Sequence, residues 1–264
     1  MLKSLKLHGV GPVQDLSASF GERLNVLTGD NGLGKSFLLD LAFWALTGTW
    51  PGGRVAIPET GVKGNGPTIS YEVEGKKKAV KRTASFHYHN QSWKREEGRP
   101  PLPGLVVYAA VDGSFAVWDP ARNYWREAPS GQVEQTETPR AYQFSAENLR
   151  DGIKLQDRYL CEGVVRDWVR WYDRRSSDGA NSPFVLLEEV MRRLAHPDEP
   201  MTPDKPRRIF LEETREFPTV RMPHGSVAYP HFSAGVRRIV SLAYLLVWAL
   251  SLIHISEPTR QAEI

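Results

Sequence analysis

A chain of 264 residues, 41% hydrophobic and 25% charged, is long enough to bury a sizeable core and has an ordinary globular composition. Lys and Arg exceed Asp and Glu by 34 to 31, and a net charge of +3 is too small to argue for a nucleic-acid partner by itself. The single cysteine, Cys161, excludes an intrachain disulfide framework and a cysteine-rich zinc site.

The opening, MLKSLKLHGVGPVQDL, has no long apolar core and no small-residue cleavage site. It does not read as a signal peptide, so the cytoplasm is the expected compartment. Within it, Leu5 and Leu7 fall on one face of a period-two strand. RLNVLT, Arg23 to Thr28, is a short apolar run ending at Gly29 and predicts a buried strand. KSFLLDLAFWAL, from Lys35, is apolar nearly all round and stops at Gly48, which predicts a buried helix with a glycine at its end. Residues 51–141 are rich in proline, glycine and short strand patterns. TISYEVEGKKKAVKRT predicts a hairpin turning near Gly75, and LVVYAAVDGSFAVWD predicts another with Asp112-Gly113 as its turn. This stretch reads as an antiparallel β layer inserted after the first helix.

From Ser145, a capping-type serine, the pattern becomes helical. RYLCEGVVRDWVRWY spaces Leu160, Val164, Trp168 and Tyr172 at helical intervals. SPFVLLEEVMRRLAH opens with Ser182 as a cap and Pro183 at the first helical position. A loop from Pro197 to Pro206 follows, then RRIFLEETREFPTVRM as strands, then a loop feeding a long buried helix in HFSAGVRRIVSLAYLLVWAL. The apolar run Ile239 to Ile255 approaches a membrane span of roughly 18–20 residues but reads as a core helix.

GDNGLGKS, Gly29 to Ser36, matches G-x-x-x-x-G-K-[ST] between a strand-like run and a helix. Gly29, Gly32 and Gly34 allow backbone conformations that turn several N–H groups toward one point. The helix N-terminus adds its dipole, Lys35 brings a mobile positive charge for the β and γ phosphates, and the Ser36 hydroxyl is offered to Mg²⁺. The alternative is a glycine-rich turn with an exposed lysine. NGLGKSFLLD resembles the NGxGKS form of ABC-class ATPases, and the first fifty residues are similar to the RecF, SMC and OLD branch of soluble AAA-family ATPase heads. That resemblance implies a P-loop NTPase α/β fold with an ABC-ATPase-like sheet. Its ATP-binding set would be Gly29, Asp30, Asn31, Gly32, Leu33, Gly34, Lys35, Ser36 and Phe37. The implied ATPase domain spans 1–250: a phosphate-loop unit (1–50), the β layer (51–141), a helical segment (142–200), then strands and a signature helix (201–250).

HFSAGVRRIVSLAYLL resembles the ABC signature, with Ser233, Ala234 and Gly235 opening a helix. In the family this site faces ATP held by a second subunit, so two heads sandwich two nucleotides. The alternative is an ordinary serine cap. Arg237 and Arg238 follow it and read as a solvated face, with service to phosphate or a partner as the rival. Gln143, between the β layer and the helical segment, resembles the glutamine that senses Mg²⁺ and the attacking water. Cys161 reads as a helix-core residue. His87 and His89 could share a strand face, but a third metal ligand is not evident.

An ABC-class head also needs a later strand ending in Asp-Glu, and none follows the signature here. LSLIHISEPTR, Leu250 to Arg260, resembles translated sequencing-adaptor read-through, which makes 251–264 an expected non-native tail. On that reading the fold is incomplete at the C-terminus, the apolar face Leu242 to Trp248 lies uncovered, and the chain is inactive. The rival is a genuine C-terminus. The resemblance implies ATP and Mg²⁺ as cofactors and a homodimer of heads when complete. DNA or a nuclease is a further candidate partner, and no membrane partner is expected. The implied context is DNA repair, chromosome maintenance or phage defence. Rival functions are a nucleotide-dependent switch with little turnover, a P-loop kinase or phosphotransferase, and a transporter ATPase.

Overall fold

The computed structural model describes residues 1–58, 66–74, 79–95, 104–124, 140–155, 157–179 and 182–256. The expected turn near Gly75 and the tail beyond 256 lie outside them. The chain divides into two compact units, one of Met1–Tyr108 with Ala116–Gln143, the other of Ala109–Phe115 with the residues from Phe144 onward.

In the first unit, β1 (Leu2–His8), β2 (Asp15–Ser19), β3 (Thr68–Glu74), β4 (Ala79–His87) and β5 (Ser92–Arg95) form one antiparallel sheet in the order β2-β1-β3-β4-β5. The hydrophobic alternation sets its register. Leu5 pairs with Tyr71 and Leu7 with Ile69, all four buried, while Lys6 between them is exposed. α1 (Lys35–Thr47) contributes Leu41, Trp44 and Ala45 to the same core. Trp44 stacks on Trp50 at 5.0 Å and meets Tyr71 and Trp93 edge-on. Each such side chain, fully buried, stabilises the fold by about 1.5–3 kcal/mol. Gly48, at φ 77°, ends α1 in the left-handed conformation that glycine adopts without penalty.

β6 (Val106–Ala109), β7 (Phe115–Trp118) and β8 (Tyr142–Phe144) make a three-stranded sheet in the order β6-β7-β8. Asp112 and Gly113 form the expected β6–β7 turn, with Gly113 at φ 84° and the Asp112 carboxylate accepting from the Ser114 N–H. Phe43 of α1 packs with Ala116, Trp118 and Ala141. A short helix, α2 (Pro120–Tyr124), follows β7.

In the second unit, α3 (Ala146–Asp151) starts at the Ser145 cap, which accepts from the Asn148 N–H. β9 (Ile153–Leu155) and β10 (Arg158–Cys161) form a hairpin, and α4 (Gly163–Asp178) follows. α5 (Pro183–Leu194) starts as expected, with Ser182 accepting from the Phe184 N–H and Pro183 at the first position. β11 (Thr202–Arg208), β12 (Glu216–Met222) and β13 (Gly225–Ala228) form an antiparallel sheet in that order, and α6 (Ala234–Ser256) packs against α5. Trp168, Phe184, Leu187, Met191, Val220, Tyr244 and Leu245 are buried in this unit. A Cβ on Gly163 (φ +85°) would lie 2.4 Å from the Gly152 N, so only bare backbone lets α3 and α4 meet there.

Several expectations are overturned. Arg23–Thr28 is not a strand, and Leu24 and Val26 are 81% and 71% exposed. A buried strand needs neighbours on its edges, and no described strand pairs with this one. Leu160 and Cys161 lie in β10, not in the helix, because Gly163 starts α4 after them. Cys161 is buried all the same, and burial raises its thiol pKa. β11 occupies part of the expected 197–206 loop. It is an edge strand, where Pro203 and Pro206 are tolerated. His89 lies in the turn after β4, so it shares no strand face with His87. The face of α6 expected to be bare is largely covered, with Ala243, Tyr244, Leu245, Val247 and Trp248 buried. Among the described residues, the strands of the β2-β1-β3-β4-β5, β9-β10 and β11-β12-β13 sheets pair antiparallel, and no helix is long and apolar enough to cross a membrane.

Candidate nucleotide site

The phosphate loop is the turn between the exposed segment 21–28 and α1. Gly29, Gly32 and Gly34 have φ of 139°, 87° and 79°. Gly34 is the residue at the helix start and is left-handed, while a Cβ there would meet only Pro12, at 3.7 Å. The backbone conformation, not crowding, is therefore what asks for glycine at that position. From this start the first N–H groups of α1, which have no partner within the helix, point out of its end.

Lys35 folds back across the loop and donates from Nζ to the carbonyls of Gly29 (2.7 Å) and Asp30 (2.6 Å). The cation thus sits over the loop among neutral acceptors, and the negative charge it lacks is what a phosphate would bring. Asp30, Asn31, Gly32, Leu33 and Ser36 are exposed around it. Phe37 departs from the expected set in its side chain. The ring packs on Gly11, where a Cβ would lie 2.5 Å from Phe37 Cε1, and joins the apolar core. Only its backbone N–H remains to serve a phosphate. One turn beyond Ser36, Asp40 accepts a short hydrogen bond from the Tyr108 hydroxyl. Sequence reasoning missed this carboxylate because its partner is 68 residues away, although the four-residue step from Ser36 was readable.

Gln143 is not brought to the loop. Its Oε1 accepts from the Gly52 N–H at 3.1 Å and its Nε2 donates to the Trp50 carbonyl at 3.4 Å. Those residues follow the far end of the 13-residue α1, about 20 Å from Ser36 at 1.5 Å per residue. The side chain pins that turn in this structure.

Ser233 and Gly235 belong to the second unit. The Ser233 hydroxyl accepts from the Val236 N–H at 3.2 Å, the geometry of a helix cap. Gly235 is exposed and nothing crowds it, the nearest atom to an added Cβ being Ser233 Oγ at 4.0 Å. A cavity of about 370 Å³ opens here, lined by Ala234, Gly235, Arg238 and the Asp112-Gly113 turn. Both arginines are half-buried. Arg238 donates to the Ala109 carbonyl at 2.7 Å, and Arg237 lies over the Tyr229 ring with its buried Nε unbonded. Burial raises the Tyr229 pKa against the pull of Arg237 and Arg150. Tyr229 and Arg237 also line a second cavity of about 630 Å³, with Phe210, Phe217, Arg150 and Arg215. No described group of three His, Cys, Asp or Glu could hold a metal ion.

A glycine loop with a lysine folded over it, opening a helix, defines a P-loop nucleotide-binding protein. A family model of AAA domains matches residues 4–151, more than half of the chain. The chain belongs to this family of RecF/SMC-like AAA ATPases, and membership implies a P-loop NTPase fold and ATP binding. No curated protein matches the chain.

Proposed function

We propose that the chain is an ABC-class ATPase head of the RecF, SMC and OLD branch, which binds Mg-ATP at Gly29–Ser36 and pairs with a second copy on it. The observation that carries this reading is Lys35 held over the loop by two backbone carbonyls, a cation ready to exchange neutral acceptors for phosphate oxygens. Bound ATP would supply the phosphate oxygens that complete the Mg²⁺ shell. Ser36 would offer its hydroxyl to that ion, and the N–H groups of the loop would hold the phosphates. Ser233 and Gly235, at the open start of α6, would receive the γ-phosphate from the second copy. Hydrolysis in the intact protein would drive opening of the pair, in DNA repair, chromosome maintenance or phage defence.

The test is calorimetric titration of Mg-ATP into the wild-type chain and Lys35→Ala. Hydrogen bonds to charged groups contribute about 1.5–3 kcal/mol, so the variant should bind at least about tenfold more weakly. Equal affinity in the two proteins would remove the phosphate-loop reading.

A further inference from the structure

The cavity of about 630 Å³ lies within the second unit and is of a size that takes a small molecule. Its apolar wall comes from β12 and the loop before it. Phe217 is buried, and Phe210 meets it edge-on at 5.7 Å. Phe210 also lines the cavity and is 43% exposed, so it leaves apolar surface in water that a ligand would cover. Pro230 adds to the same lining.

The polar wall holds two groups with donors to spare. Tyr229 is 4% exposed and its ring packs on Phe232 at 5.4 Å, but its hydroxyl bonds to no described residue. Burial holds its pKa above the ordinary phenol value, so the hydroxyl keeps its proton and can donate. The Arg237 guanidinium lies 5.7 Å from the centroid of that ring. Among the described residues it makes one hydrogen bond, from Nη2 to the Phe232 carbonyl at 3.4 Å, and its buried Nε has no partner. A buried donor without an acceptor is costly, and that cost is relieved when an acceptor arrives. The other two arginines of the wall are already neutralised, since Arg150 and Arg215 share Asp151 and Arg215 also holds Glu213. Glu147, also in the lining, is exposed and would repel a second negative charge. The lining therefore suits one singly charged anionic group and not a dianion.

We propose that this cavity binds a small aromatic carboxylate, its anionic group accepting from the Tyr229 hydroxyl and the Arg237 guanidinium and its ring lying against Phe210 and Phe217. A carboxylate suits arginine because its two oxygens match the planar guanidinium fork, and bonds to an ionised acceptor are the strong ones. A ring suits the apolar wall, where it can meet Phe210 and Phe217 in the offset or edge-on arrangements that aromatic pairs favour. Phosphate fits less well, because a dianion meets Glu147 and brings nothing apolar to cover Phe210. Phe210, Tyr229 and Arg237 come from three separate segments, so only the fold brings them to one wall. The site uses none of the residues assigned to nucleotide and does not depend on that reading.

The experiment is a ligand-observed NMR titration of phenylacetate with the full chain, with phenethyl alcohol and inorganic phosphate as comparators. Phenylacetate should bind saturably and at least about tenfold more tightly than either comparator, because only it brings both the charge and the ring. Tyr229→Phe keeps the ring and its packing on Phe232, and should weaken phenylacetate at least about fivefold by removing one donor to the carboxylate. Arg237→Met should weaken it at least about tenfold. Phe210→Ala should weaken phenylacetate and the alcohol alike, by about threefold, since it removes apolar contact and no charge. Lys35→Ala should bind phenylacetate like wild type. Circular dichroism on each variant separates a local effect from misfolding. The proposal is overturned if phenylacetate binding does not saturate, if folded Tyr229→Phe binds it like wild type, or if phosphate or the alcohol binds as tightly. Loss of phenylacetate binding in folded Lys35→Ala would also overturn it, by placing the ligand at the phosphate loop.

Discussion

At the scale of single residues, Lys35 and Gln143 show how one side chain's partners decide its role. Lys35 rests on two carbonyls of its own loop and can release them. Gln143 uses both ends of its amide on the turn at Trp50 and Gly52. Gln143→Ala should therefore leave Mg-ATP affinity within about twofold of wild type. Net hydrogen bonds contribute roughly 0.5–1.5 kcal/mol each, so the melting temperature should fall by about 2–6 °C. Titration and thermal unfolding of the same preparation check both halves, and an affinity loss of tenfold at unchanged stability would support the sensing role. Both residues were legible as candidates, Lys35 from a motif confined to eight positions and Gln143 from its place between two patterns. Only contacts made at a sequence separation of about ninety residues told them apart.

At the scale of elements, α6 begins where Ser233 caps it and where a cavity of about 370 Å³ leaves its first turn open. Ser233→Arg would fill that opening with a long cation while leaving the loop at Gly29–Ser36 untouched. Under the proposed function, the variant should bind Mg-ATP like wild type and fail to form the ATP-dependent pair. Light scattering with and without nucleotide measures this. A variant that pairs normally would leave Ser233 as a helix cap alone. Elements with strong local chemistry were readable: Ser145 and Ser182 as caps, the Asp112-Gly113 turn, and the alternation of Leu5 and Leu7. Elements whose existence depends on a neighbour were not. Arg23–Thr28 has strand-like residues and no strand beside it, whereas Thr202–Arg208 has two prolines and is a strand because β12 pairs with its edge.

At the scale of the whole molecule, stability against acid depends on carboxylates held in the second unit. Burial opposes ionisation of Asp151, but hydrogen bonds from Arg150 and Arg215 outweigh it and hold its pKa below the usual value. At Asp204 burial is likewise outweighed, by the Lys205 N–H, Ser226 and Arg221. Asp167 runs the other way, because burial raises its pKa against Tyr244 and Arg170. A carboxylate with a lowered folded pKa stabilises above its unfolded value, near 3.9, and loses that contribution as pH falls through the folded value. One with a raised folded pKa instead favours folding more as pH falls through that value. Hydrogen bonds from Arg192 and Arg193 also lower the pKa of Glu189, so with three lowered and one raised the melting temperature should decline as pH falls below about 4. Asp151→Asn should melt lower than wild type at pH 7, and the two curves should converge toward about pH 2–3. Calorimetric scans across that range test this, and a constant gap between the proteins would show that the ion pairs of Asp151 contribute nothing.

The sequence by itself determined what depends on a residue and its near neighbours: the phosphate loop, the helix starts, the hairpin turn and the alternating faces. Their causes are backbone φ, capping hydrogen bonds and hydrophobic period, all acting within a few positions. Only the tertiary structure decided what depends on residues far apart. It placed Gln143 on the turn after α1, packed the Phe37 ring on Gly11 and covered α6. It also set Arg237 over the Tyr229 ring at the wall of a cavity. The physical reason is that burial and pairing are properties of a position in space, and a side chain acquires them only from whatever the folded chain brings beside it.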